Sequence, residues 1–267
     1  LFHCKKCNQN FHDTFDDGNF PVCHHCYPPL INRSSLEVEI YEFIKSITNG
    51  TIHQNDKLIL ENKYELDLYI PEKNIAIELN GNYWHSEVAG EKNRLYHVSK
   101  TQECESKNIH LIQIFEDEWI NKKSIIQEKL KVICNVASDY IHARKCEIKS
   151  LSKLECDAFL NNYHIQGTCI STTQLGLFFE NKLVSAMTFG PSRFEKNTHE
   201  LIRYASSTRI NGGFNKLLNF YKNNKFNETI VSYADRRWTN IYKNVYISNG
   251  FLLEKITPPN YYYIQKR

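Results

Sequence analysis

Tyr64-Glu65-Leu66-Asp67-Leu68-Tyr69-Ile70-Pro71-Glu72-Lys73-Asn74-Ile75-Ala76-Ile77-Glu78-Leu79-Asn80 is the stretch that decides how this chain is read. Two β-rich runs, 64–70 and 75–79, flank Pro71-Glu72-Lys73-Asn74, a good turn sequence. The segment therefore predicts a hairpin. One carboxylate interrupts each run, Asp67 in the first and Glu78 in the second. A carboxylate inside an apolar strand is costly unless it is paired or holds a metal. Two of them on adjacent strands point to a shared purpose. The competing reading is a pair of outward-facing carboxylates on a half-exposed sheet.

Working outward, Ser34-Ser35 open a predicted helix whose apolar face is Leu36, Ile40, Phe43, Ile44 and Ile47. Residues about 90–107 are predicted helical, Leu111 to Phe115 is a further strand, and residues about 122–141 form a closing helix. Helix, hairpin, helix, strand, helix is a layered pattern with a mixed sheet, so the fold class is α/β, more narrowly α+β. Ser34-x-x-Glu37 is a capping box, which explains Glu37 without any metal.

Phosphodiester hydrolysis calls for a hard divalent cation with oxygen ligands, and the hairpin offers them. Asp67, ten intervening residues, then Glu78-Leu79-Asn80 resembles the PD-(D/E)xK nuclease pattern, with Asn80 where a lysine is commonest. Lys100, on the following helix, is the candidate for a migrated lysine, and His97 lies one turn before it. A solvated helix face is the competing reading of both. The run from Ala76 to His85, AIELNGNYWH, resembles the very-short-patch repair endonucleases, where a strand runs into Gly-x-aromatic-Trp-His. That resemblance implies that His85 acts beside a metal site. Leu111 to Trp119 is similar to the same family's apolar strand ending in aromatic-Glu, which implies a supporting role for Glu116 or Asp117. From Tyr64 to Trp119 the chain is similar to phage homing endonucleases of this restriction-endonuclease-like fold, free-standing or intron-borne.

The resemblance implies site-specific cleavage of double-stranded DNA with Mg2+ held by Asp67 and Glu78. Asn80 and Glu37 would assist, with Glu39 as the substitute for Glu37, and His85 would be general base or water-positioning group. It also implies a phage-encoded enzyme working in the cytoplasm of a bacterial host. A homodimer is one arrangement by which both strands would be cut.

Cys4-Lys5-Lys6-Cys7 and Cys23-His24-His25-Cys26 give CxxC, fifteen residues, CxxC. Each turn brings two thiolates to one tetrahedral edge, so a closed, structural Zn2+ site is predicted. His24 and His25 are substitute ligands, and Lys5 and Lys6 on the knuckle are candidates for phosphate contact. The other five of the nine cysteines read as small buried apolar residues. Unpaired thiols on this scale suggest a reducing compartment. The net charge of +3 neither requires nor forbids nucleic acid. No apolar run approaches the ~20 residues of a membrane span. No secretory signal pattern opens the chain, and its first residue, Leu1, leaves room for sequence upstream.

The C-terminal part reads as a hairpin over 174–189, a strand from His199 to Ala205, and a Gly212-Gly213 turn leading into a helix. This order resembles the acyl-CoA-binding loop of GNAT-type acetyltransferases, and more closely a Mom-like, GNAT-related domain with a Tyr-Ala-Asp-Arg-Arg-Trp run, here Tyr233 to Trp238. Arg236, Arg237 and Trp238, with Tyr261 to Tyr263, are candidates to grip DNA by charge and stacking. Three parts are thus expected: a zinc-ribbon module over 1–30, a PD-(D/E)xK nuclease core over 31–142, and a GNAT-like domain over 143–267. The expected function is a DNA endonuclease. The alternative is a DNA nucleobase-modifying, acyltransferase-like enzyme whose front half locates DNA. A non-catalytic DNA binder fits less well with Asp67, Glu78 and His85 intact.

Overall fold

A computed structural model describes residues 2–11, 21, 23, 35–61, 64–81, 96–136, 140–224 and 229–258. The chain divides into two compact units, Leu1–Glu42 and Phe43–Arg267. In the first, β1 (Phe2–His3) pairs antiparallel with β2 (Asn10–Phe11). The loop between them closes because Asn8 takes a left-handed φ of 59° and donates its amide to the Cys4 carbonyl at 2.9 Å. Asparagine tolerates that region better than other non-glycine residues. Helix α1 (Ser35–Ile47) buries Ile40 and Ile44 on one face.

The second unit continues with β3 (His53–Asp56), β4 (Leu66–Ile70), β5 (Ile75–Asn80), α2 (Tyr96–Ser106), β6 (His110–Phe115) and α3 (Glu116–Ile133). Then come β7 (Tyr140–His142), β8 (Glu147–Ser150), α4 (Lys153–Tyr163), β9 (Thr173–Phe179), β10 (Lys182–Pro191) and β11 (Thr198–Ser206). The last elements are β12 (Arg209–Asn211), α5 (Gly213–Asn224) and β13 (Thr229–Ser232). A four-stranded sheet has the order β3-β4-β5-β6, antiparallel except for β5 beside β6. A five-stranded sheet has the order β13-β11-β10-β9-β8, antiparallel except for β11 beside β13. A short parallel pair joins β7 to β12. The class is mixed α/β with mixed sheets.

The hairpin of β4 and β5 turns through a 3-10 turn at Pro71–Lys73 and Asn74 at φ 52°. One expectation fails. The closing helix spans 116–133 instead of about 122–141, because its buried stripe begins at Trp119 and runs through Ile125, Ile126 and Leu130. It kinks at Lys122 (φ −133°) and stops where Asn135 turns left-handed (φ 51°). Residues 143–150 hold a 3-10 turn (Ala143–Lys145) and the edge strand β8. An edge needs only one apolar face and tolerates charge on the other; here Ile148 packs on the core between Glu147 and Lys149.

Candidate active site

Residues opposite each other in a sheet share a face, and alternate residues along a strand do too. The hairpin register sets Leu68 against Ile77, so Asp67 stands at the level of Glu78. The parallel register sets Glu78 against Gln113 and Asn80 against Phe115. Asp67, Glu78, Asn80 and Gln113 therefore share one face, at the C-terminal ends of β5 and β6, the edge where crevices form in parallel α/β sheets. Farther back on that face Tyr69, Ala76 and Leu111 pack with Cys104 of α2 in an apolar cluster.

Helix α2 covers this face with Lys100, Thr101 and Cys104 buried. Lys100, 1% exposed, donates to Glu78 Oε2 and to the carbonyl of Glu65. Glu78 is itself 3% exposed. Each charge is held in the interior by the other, since a lone buried ion of either sign is strongly disfavoured. Leu79 donates its amide to Asp67 Oδ2 at 2.7 Å, tying the β4 carboxylate to the strand of Glu78. Gln113 Nε2 donates to Thr101 Oγ1 at 2.9 Å, and Thr101 donates to the His97 carbonyl at 2.7 Å.

Asn80 is fully buried, yet neither Oδ1 nor Nδ2 has a hydrogen-bond partner among the described residues. A buried amide in that condition costs about 1–3 kcal/mol and calls for a water, an ion or a ligand. Burial, then the charges of Glu78 and Asp67, push the Tyr96 hydroxyl up to about 12. Burial also pushes the Cys104 thiol up to about 12, with Lys100 opposing. Asp67 and Glu78 are two carboxylates against the one ammonium of Lys100, a setting that could take a cation.

The structure brings together four predicted residues, Asp67, Glu78, Asn80 and Lys100. Glu37 lies half-buried in the first turn of α1, in the first unit. His85 lies outside the described residues. Gln113 and Tyr96 are additions. Gln113 carries the signal that marks Glu78, a polar residue inside an apolar run, here Leu111-Ile112-Gln113-Ile114. Tyr96 carries no such signal.

In the first unit the sulfurs of Cys4, Cys7 and Cys23 lie within 4.8 Å of one another, with Cys7 and Cys23 at 3.6 Å. The backbone amide of Cys7 pulls the Cys4 thiol down to about 6, against the opposing effect of burial. A thiol ionised at neutral pH is a ready metal ligand. The three sulfurs are therefore placed where they could hold a metal ion, and Cys26 lies outside the described residues. Lys5 and Lys6 are exposed on the knuckle.

Arg236 and Arg237 have carboxylate partners in this structure. Arg236 Nε donates to Glu105 Oε1 at 2.9 Å and its Nη2 to Oε2. Arg237 donates to Asp235 at 2.7 Å and to Glu118 at 2.9 Å. Trp238 is half-buried, with Lys129 Nζ 5.3 Å from its ring centre. Tyr261 to Tyr263 lie outside the described residues.

No family model and no curated protein matches the chain. Among solved structures, the chain is similar to the catalytic domain of homing endonuclease I-Bth0305I, at 21% identity and a TM-score of 0.30 over 38% of this chain and 94% of that one.

Proposed function

We propose that this chain is a metal-dependent DNA endonuclease, a phosphodiester hydrolase of homing type acting on double-stranded DNA. The observation that carries the reading is the cluster of buried Glu78, Asn80 and Lys100 with half-buried Asp67, in which a shielded ion pair sits beside an amide that has no partner among the described residues. The similarity of the stretch from Tyr64 to Trp119 to phage homing endonucleases supports it. Carboxylate oxygens from Asp67 and Glu78 and the Asn80 carbonyl oxygen form an all-oxygen donor set, which fits Mg2+ better than a softer metal. When bound, such an ion supplies positive charge against the phosphate oxygens.

The chain's own groups do the rest. Lys100 fixes the Glu78 carboxylate and stands in for the lysine that Asn80 replaces in the sequence pattern. His85 takes a proton from the attacking water, whose oxygen bonds to phosphorus while the bond to the leaving sugar oxygen breaks. That oxygen is then protonated from solvent. Cys4, Cys7, Cys23 and Cys26 hold a structural Zn2+, and Lys5 and Lys6 meet backbone phosphates. The parts are a zinc ribbon over 1–30, a nuclease core over 31–142 and a GNAT-like domain over 143–267.

The test is cleavage of plasmid or phage DNA with Mg2+ by wild type, Asp67→Ala and Glu78→Ala. Each substitution is expected to lower the rate on the order of a thousandfold, and cleavage that survives both sinks the site. Zinc content of Cys23→Ser tests the ribbon separately, because a folded variant that retains its zinc rules out the four-thiolate site.

A further inference from the structure

Asp235-Arg236-Arg237-Trp238 follows β13, near the C-terminal end of the described residues, yet its side chains end on the elements that frame the candidate site. Arg236 forms a two-point pair with Glu105 on α2. Glu105 lies five positions after Lys100 on the same helix, about 7–8 Å along its axis. Arg237 links Asp235 to Glu118 in the first turn of α3. Its guanidinium carbon also lies 5.3 Å from the centre of the Phe115 ring. Phe115 is the last residue of β6 and the register partner of Asn80. One short segment thus holds α2, the end of β6 and the start of α3.

These pairs are shielded. Side-chain exposure is 22% and 12% for Arg236 with Glu105, and 21% and 20% for Arg237 with Glu118. A planar guanidinium meeting a carboxylate at two points fixes orientation as well as distance, and partial burial spares it the screening that weakens surface pairs. A helix held this way keeps its other side chains in place too.

We propose that Arg236 and Arg237 are positioning residues, which lock α2 and the β6–α3 junction and thereby set Lys100 against Glu78 beside Asn80. The inference rests on the endonuclease reading and deepens it, because the C-terminal part then controls cleavage without touching the phosphate. It also assigns the two arginines to intramolecular work instead of DNA contact.

The experiment uses the full chain with Arg236→Gln, Glu105→Gln and the reversed pair Arg236→Glu with Glu105→Arg. Three quantities are read: the single-turnover rate at saturating DNA, DNA affinity by anisotropy without Mg2+, and amide hydrogen exchange over 96–106. Both single variants are expected to speed exchange in α2 and slow cleavage by about ten- to a hundredfold. DNA affinity is expected to hold, and the reversed pair to recover part of the rate. Glu105→Gln separates the roles, because it frees Arg236 without removing a cation. Tighter DNA binding at an unchanged rate in Glu105→Gln, or weaker binding at an unchanged rate in Arg236→Gln, overturns the proposal. A reversed pair no faster than the single variants also overturns it. If wild type cleaves no DNA, the endonuclease reading fails, and α2 exchange alone then decides whether Arg236 fixes the helix. Unchanged exchange sinks the clamp in either case.

Discussion

The two larger sheets of the second unit share a plan and treat buried polar residues differently. Each is antiparallel apart from one parallel pair at an edge, β5 with β6 in one and β11 with β13 in the other. In the five-stranded sheet Ser185 and Glu200 are met close by, although the shielded Nε of Arg203 on β11 has no partner among the described residues. Ser185 donates to the Ala205 carbonyl at 2.8 Å and accepts from Ser206 at 3.1 Å. Glu200, 2% exposed, accepts two bonds from Arg193, whose side chain is 65% exposed. In the four-stranded sheet Glu78 is met by a lysine that is itself buried, and the amide of Asn80 is unmet among the described residues. Polar groups satisfied on the spot serve architecture. A shielded ion pair beside an unmet amide is an arrangement that stability alone does not select, and it marks where chemistry is expected.

The largest expected effect that sharpens this contrast is on the ion pairs. Lys100→Met strands the Glu78 carboxylate in the interior and is expected to cost about 3–5 kcal/mol in urea unfolding. Arg193→Met is expected to cost about 1–2 kcal/mol, because water takes the place of an exposed guanidinium. Equal losses would break the contrast. Next comes the amide. Asn80→Leu removes two polar atoms that have no partner among the described residues, for similar volume, so it is expected to be neutral or to stabilise by up to about 1 kcal/mol while abolishing cleavage. A clear destabilisation would mean that Asn80 is a structural residue.

The smallest effect concerns His164, which caps the end of α4 and accepts the Gln166 amide at Nδ1. Burial first, then the positive charges of Arg203 and Lys129, hold its pKa down near 3, with Asp235 opposing. The unfolded chain takes up a proton on this ring near 6.5, and the folded chain does not until about 3. Stability is therefore lost as pH falls through that window. His164→Leu is expected to shrink the difference between urea midpoints at pH 7 and pH 5. A difference as large as wild type's would place the acid sensitivity elsewhere.

Much of the candidate site is legible in the sequence. Asp67 and Glu78 stand out because a strand exposes the misfit of a charge among apolar neighbours, and strict alternation then fixes their common face. Gln113 obeys the same rule. Lys100 is harder, since a helical lysine has the same local sequence whether its face is wet or covered. Only the packing of α2 over β5 shows that its ammonium reaches Glu78. Arg236 and Arg237 are harder still, for a basic pair beside a tryptophan reads as a DNA grip whether or not it also meets carboxylates within the fold. Their partners Glu105 and Glu118 lie 131 and 119 residues away, beyond the reach of any local pattern.

By itself the sequence determined the hairpin at 64–80, its turn through Asn74, the thiol spacing of the first unit and the face on which the acidic residues lie. These depend on φ preferences, alternation and spacing within a few residues. The tertiary structure alone decided which charges meet, because those pairings arise where helices pack on sheets, and a side chain carries no local record of its distant partner.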